Sequence, residues 1–318
     1  MSHPRESGLT RREAVVRITQ VGLAAAAVGT GSIFFADRRV ALAAPPSIRD
    51  WRAAGEPLRA FAARGDDPAA NVRRALAALG GMERFVRRGE VVLLKPNVGW
   101  DRIPAQAANT DPEVVAEVAR QARAAGARKV IVADISCNDP RRCFARSGIR
   151  EAAERAGAEV LDGSQIRMVP AGLTGAASGL EVIEPLLGAD RVINLPVAKH
   201  HGLSRVTLGM KNWFGVLGQG RNRLHQDIDR CIAELGATFR PTLTVIDATR
   251  VLLGNGPQGG SLSDVKALGA VAIGTDPVLL DAWGARQLGV EPRTLGFIGE
   301  AERRALGKGD ATLVKELG

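Results

Sequence analysis

The sequence predicts an α/β fold: a mostly parallel sheet with helices on both faces. Three observations carry it. Short apolar runs rich in Val, Ile and Leu alternate with longer amphipathic segments, the pattern of strand and crossover helix. The amphipathic segments open on Asp or Thr followed by Pro and close on Gly, which is helix punctuation. The apolar runs lack a polar alternate, as strands covered on both faces do.

In chain order, "DPAANVRRALAALGG" reads as a helix with an acidic start and a Gly-Gly stop, and hands over to the strand "EVVLLKPN". "TDPEVVAEVARQARAAGA" is the next helix, capped by Thr110 or Asp111 with Pro112 in its first turn, and "RKVIVADIS" the next strand. A helix at "IREAAERAGA", a short strand "EVLDG" and a strand "DRVINLP" follow. The helix "LHQDIDRCIAELGA" precedes the strand "TLTVIDAT". "LGAVAIGTDPVLLDAWGARQLG" then gives a strand, a Thr-Asp-Pro turn and a helix, with a last helix near "EPRTLGFIGEAERRALG". Between Ala44 and about Gly65 the pattern is irregular or briefly helical.

The chain divides into residues 1–43, an N-terminal approach over 44–88 and a core over 89–318. The first part has the layout of a twin-arginine export signal: Arg11-Arg12, an apolar and small-residue run from Val21 to Phe35, then Ala41-Leu42-Ala43. Glu13 is followed by Ala14, Val15 and Val16 where the usual signal has Phe-Leu-Lys. The apolar run is short for a membrane span. The expectation is export through the twin-arginine machinery to the periplasm or beyond, cleavage after Ala43 and no membrane span afterwards.

With 318 residues, 45% of them hydrophobic, the chain has enough apolar material for a sizeable core. Its net charge is +9, and removal of residues 1–43, with six arginines and three acids, leaves +6. A basic balance suits nucleic acid, an anionic membrane or a small anion. Export argues against nucleic acid, and most arginines sit on helical faces, so the charge favours a small anionic ligand. The three cysteines include no Cys-x-x-Cys, so no ferredoxin-type cluster is encoded. Cys137 and Cys143 bracket a loop short enough to close as a disulfide, or they are free thiols.

Ligands of open α/β sheets bind beyond the carboxyl ends of the strands. The ends expected here are Lys95-Pro96-Asn97, Asp134-Ile135-Ser136, Pro196 to His201, Asp247-Ala248-Thr249 and Gly274-Thr275-Asp276. Five polar exits predict one shared polar crevice. Within it, "RVINLPVAKHHGLSRVTLGMKNWFG" is an apolar strand that turns densely cationic.

Together these motifs resemble the domain of unknown function 362 family, from about Gly89 to Gly289. The resemblance rests on Lys95-Pro96-Asn97, Asp134 and Ser136, Lys199 and His201, Leu208 with Lys211, Asn212 and Gly215, Asp247, Gly256-Pro257, and Asp276. It implies an α/β site at those positions. Some members carry a ferredoxin segment, which this sequence lacks, and the family name gives no reaction.

Three lysines, Lys95, Lys199 and Lys211, converging on one crevice need a counter-charge, either Asp134, Asp247 and Asp276 or a ligand carboxylate or phosphate. Glycine-bearing loops allow backbone N–H groups to approach such an anion. His201 beside the lysines is expected to be neutral at neutral pH and to serve as a general acid–base, with Lys199 or Lys211 holding the substrate. Asn97, Ser136 and Asn212 complete the ligand-binding set. His200 points the other way along the chain. Pure recognition without catalysis is a second reading. A metal held by His201, His225 and two of Asp134, Asp247 and Asp276 is a third, although no metal-spacing motif is present. No P-loop and no Gly-x-Ser-x-Gly elbow occurs. Gly254, Gly256 and Gly259 fit Gly-x-Gly-x-x-Gly, but no helix opens after them, so the nicotinamide fingerprint lacks its context and the cofactor stays unknown.

Overall fold

The computed structural model describes residues 46–317; the expected export signal lies outside them. Four parallel strands form one side of the sheet, out to its edge: β2 (Val91–Pro96), β3 (Lys129–Ala133), β4 (Glu159–Leu161) and β7 (Arg191–Leu195). β1 (Ala60–Arg64), β10 (Leu243–Leu252), β11 (Val265–Gly274) and β12 (Lys315–Leu317) extend the sheet to the order β12-β1-β11-β10-β7-β2-β3-β4. β8 (Val197–His201) pairs with β10 and, as a hairpin, with β9 (Arg205–Thr207), making ten strands in all. A separate antiparallel pair, β5 (Met168–Pro170) and β6 (Glu181–Ile183), lies apart.

The central strands alternate between two cores, as a pleat requires. Val92, Leu94, Ile193 and Val245 pack with helices α1 (Pro68–Ala78), α2 (Pro112–Ala124) and α4 (Ile149–Arg155), the last preceded by the short α3 (Pro140–Arg146). Leu93, Val192 and Ile246 pack on the other side. Their partners there are α7 (Ile228–Thr238), α8 (Pro277–Gln287) and α9 (Gly296–Arg303). Two further single-turn helices, α5 (Glu184–Leu187) and α6 (Gly209–Asn212), lie between β6 and α7. The expected architecture is therefore present. Asp67 and Asp111 cap α1 and α2 with their carboxylates, as the Asp-Pro starts foretold.

Two departures matter. The segment read as irregular contributes β1, an Ala-rich strand too short to show a period, which pairs antiparallel with β11. β11 itself is antiparallel to β10, with Thr244 opposite Gly274 and Leu252 opposite Val265. A hairpin thus replaces the expected parallel crossover, and the carboxyl end of β11 points to the opposite edge of the sheet from those of β2, β3 and β10. Asp276 goes with it.

Candidate functional site: a cationic cavity at the sheet edge

A cavity of about 270 Å³ opens at the carboxyl ends of β2, β3 and β8. Asn97, Asp134, Lys199, His201, Lys211 and Asn212, all expected there, line it.

Its floor is a closed polar network. Lys95, fully buried at the end of β2, donates through Nζ to Asp134 Oδ1 at 2.6 Å, to the Pro96 carbonyl at 2.7 Å and to Asn212 Oδ1 at 3.2 Å. Asp134 Oδ2 accepts from the Val98 N–H at 2.7 Å. Asn212 returns its amide to the Asn194 side chain at 2.8 Å and accepts from Asn97 Nδ2 at 3.0 Å. Burial draws the Lys95 ammonium below its ordinary value and Asp134 opposes this. With its hydrogens placed, Lys95 neutralises Asp134 and is not offered to a ligand.

Gly215 explains the spacing of the Lys-Asn motif. A Cβ there would lie 2.1 Å from Asp134 Oδ1 and 2.6 Å from Lys95 Nζ, so only glycine lets the chain cross this pair. Its carbonyl accepts from the Ile135 N–H at 2.9 Å, stitching the crossing to the end of β3. On the other side of the motif, buried Asp281 of α8 accepts from the Gly209 and Met210 N–H groups at 2.6 and 3.0 Å and so holds the start of α6. Burial pushes the Asp281 carboxyl up to about 7 although both N–H donors oppose it.

Lys199 Nζ donates to Asn97 Oδ1 at 2.9 Å and to the Ala108 carbonyl. Two of its three positions are thereby used, and the third is left for the cavity. Burial, with Lys211 and Lys95 nearby, lowers it to about 7. Lys211 differs. Only 7% exposed, its ammonium stands 4.3 Å from the Phe214 ring centroid, and no carboxylate or carbonyl among the described residues accepts from it. Burial, reinforced by Arg221, lowers it to about 8.

His201 is held by its backbone. The Leu203 and Ser204 N–H groups both donate to Nδ1, at 3.1 and 3.2 Å. Nδ1 is therefore unprotonated, and the neutral ring carries its hydrogen on Nε2. Burial first, then Lys211, drives its pKa down to about 3. A ring so fixed is a neutral hydrogen-bond donor, which corrects the expectation of His201 as a general base. His225 is the opposite tautomer: its Nδ1 faces the Asn222 carbonyl at 3.2 Å, so Nε2 is an acceptor. The two rings stack with centroids 6.1 Å apart. Burial and Lys211 lower His225 too. His225, expected only as a possible metal ligand, is turned into the cavity by the segment Arg221–Asp227. His200, as expected, points away and accepts the Gly256 N–H at 3.1 Å.

Besides Lys95, which lies beneath the lining, three expected ligands do not reach the cavity. Asp276 caps α8, accepting from Val278, Leu279 and Lys308 N–H groups, at the far edge set by the β10–β11 hairpin. Asp247 lies inside β10 and is spent on the Asp111 N–H and on Thr249, its carboxyl raised to about 6 by burial and by Asp111. Ser136 donates to the Val98 carbonyl at 2.5 Å. The His/Asp metal set is thus dispersed, and no group of three His, Cys, Asp or Glu among the described residues is placed to hold an ion. Cys137, Cys143 and Cys231 are all free thiols; Cys143 is buried in α3 while Cys137 is exposed and lines the cavity, so the disulfide is not formed. Arg221 and Cys137 were missed as site residues. Cys137 was legible as the next exit residue after Ser136; Arg221 has no local signal.

A family model described as a domain of unknown function, DUF362, matches residues 92–286, which is more than half of the chain and contains every residue of the cavity. The chain belongs to the DUF362 family. A thylakoid-associated protein of Synechocystis sp. is 29% identical over 245 residues, covering 74% of this DUF362 chain and 75% of its own. Two solved structures are distantly similar: the lactate racemase apoprotein from Thermoanaerobacterium thermosaccharolyticum, at 14% identity and a TM-score of 0.39, and a protein from Thermotoga maritima, at 11% and 0.35. Each match covers 76% of this chain, and the chain spans 60% of the length of each.

Proposed function

We propose that the cavity binds a small carboxylate or phosphate and performs proton-transfer chemistry on it. One observation carries this reading: the buried Lys211 ammonium, aimed into a cavity and without an anionic partner among the described residues. A desolvated charge left unpaired is costly, and a ligand anion is the counter-charge that relieves it. Lys199 and Arg221 add to the same field, and the one carboxylate in the lining, Asp134, is already taken by Lys95. The volume suits a ligand of a few heavy atoms.

In this reading Lys211 anchors the anion. His201 donates its Nε2–H to a neutral oxygen of the ligand, a role that suits an imidazole unable to become cationic near neutrality. Proton transfer falls to Lys199, lowered to about 7, and to the acceptor nitrogen of His225. Export to the periplasm belongs to the same proposal, and replacement of Arg11 and Arg12 by Lys should retain the precursor in the cytoplasm.

The test is a thermal-shift titration of wild type and Lys211→Met with phosphate, acetate, glyoxylate and related small anions. Wild type should gain Tm with at least one of them, and Lys211→Met should fold yet gain none. A wild type indifferent to the whole panel overturns the anion reading. A ligand that binds without linking to the titration of Lys199 leaves a recognition protein instead of an enzyme.

A further inference from the structure

The mechanism above leaves one reactive group of the cavity unused. Cys137 is the exposed cysteine, while Cys143 and Cys231 are buried. It sits three residues beyond Asp134, held by its N–H on the Gly99 carbonyl at 2.9 Å. Gly99 runs alongside it, with its Cβ position 4.0 Å from the Sγ. Arg221 Nη2 lies 4.0 Å from the sulfur on another side. The sulfur also interacts with both cavity lysines, favouring their charged forms. An anion drawn in by these cations therefore arrives beside an accessible thiol. Lys211, 7% exposed and unpartnered, independently marks the same space as a place for an anion.

We propose that Cys137 is the nucleophile of this cavity and that the anion it meets carries a carbonyl group. The inference rests on the anion reading and extends it to a substrate class, small carbonyl-bearing anions. The carbonyl follows from His201, whose Nε2–H is a neutral donor suited to a carbonyl oxygen while Lys211 takes the negative end. In the step, the thiol proton passes to the Lys199 amine and the sulfur adds to the carbonyl carbon. One carbon–sulfur bond forms, the π pair of the carbonyl moves to oxygen, and the Lys199 ammonium returns the proton to that oxygen. The product is a hemithioacetal. Nothing is oxidised or expelled, so no co-reactant is required.

Alkylation kinetics on the intact wild-type protein, followed residue by residue by mass spectrometry, test this directly. Iodoacetate carries a charge for Lys211 and iodoacetamide does not. Their rate ratio at Cys137 should exceed that of free cysteine by about tenfold or more, the scale of enhancement a charged cleft gives. Lys211→Met should cut that excess by at least half, Arg221 and Lys199 accounting for what remains. Glyoxylate should slow iodoacetamide at Cys137 more than acetate does at equal concentration, because acetate has the charge without the carbonyl. Buried Cys143 and Cys231 serve as internal references. A free-cysteine ratio, or equal protection by glyoxylate and acetate, overturns the nucleophile while a Tm rise with phosphate or acetate leaves the anion site standing. Absence of any Tm rise and of any protection sinks both.

Discussion

Lys95 and Lys211 are both buried and carry the same charge, yet they do opposite things, and the difference is their partners. Lys95→Met leaves Asp134 buried without its ammonium, so it should cost about 3–5 kcal/mol in chemical denaturation. Lys211→Met removes a buried charge that nothing pairs, so stability should hold or rise by about 0.5–2 kcal/mol while anion binding is lost. The lysine pKa values add a pH signature. Lys199 and Lys211 fall from 10.5 to about 7 and about 8, so between those values and 10.5 the unfolded chain binds more protons than the native protein. Stability contributed by these groups should therefore rise with pH across that window, whereas anion affinity should fall as pH passes about 8. Denaturant midpoints and ligand titrations from pH 6 to 10 would show the two trends diverging; parallel trends would mean that Lys211 does not anchor the ligand.

At the scale of elements, α6 places the anchor, and it is a single turn that cannot hold itself. Asp281, reaching from α8, fixes it by two N–H groups. Asp281→Ala should leave both donors buried and unmet, costing about 1–3 kcal/mol, and should weaken anion binding without any contact to the ligand. With the carboxyl raised from 3.8 to about 7, the native protein holds a proton that the unfolded chain releases. Its contribution is complete below 3.8 and fades toward 7, a slope that Asp281→Ala should remove. None of this was legible beforehand, because Asp281 sits in an apolar helix and its partners lie some seventy positions earlier. What was legible is local: the Asp-Pro caps of α1 and α2, the apolar runs of β2, β3 and β7, and the polar exits after them. Of the residues expected at the site, Asn97 and Lys199 from those exits and Lys211 and Asn212 from the Lys-Asn motif do line the cavity. Tautomers were not, since they depend on which backbone N–H groups the β8–β9 turn aims at His201.

For the whole molecule the deciding feature is the β10–β11 hairpin. Periodicity cannot distinguish an antiparallel neighbour from a parallel one when both are buried and apolar, so Asp276 was assigned to the wrong edge. Asp276→Ala should cost the roughly 0.5–2 kcal/mol of a lost helix cap and leave anion affinity untouched, as paired denaturation and thermal-shift measurements would show. The crossing of Gly215 over Lys95 and Asp134 reaches further still. These positions come from the chain after α6, from the end of β2 and from the end of β3, yet they occupy one volume in which a single added carbon has no room. Evolution cannot change Gly215 first. In diverging relatives, a side chain at the position of Gly215 should appear only where Lys95 or Asp134 has already been replaced by something smaller, so the three should be inherited as one allele-like unit.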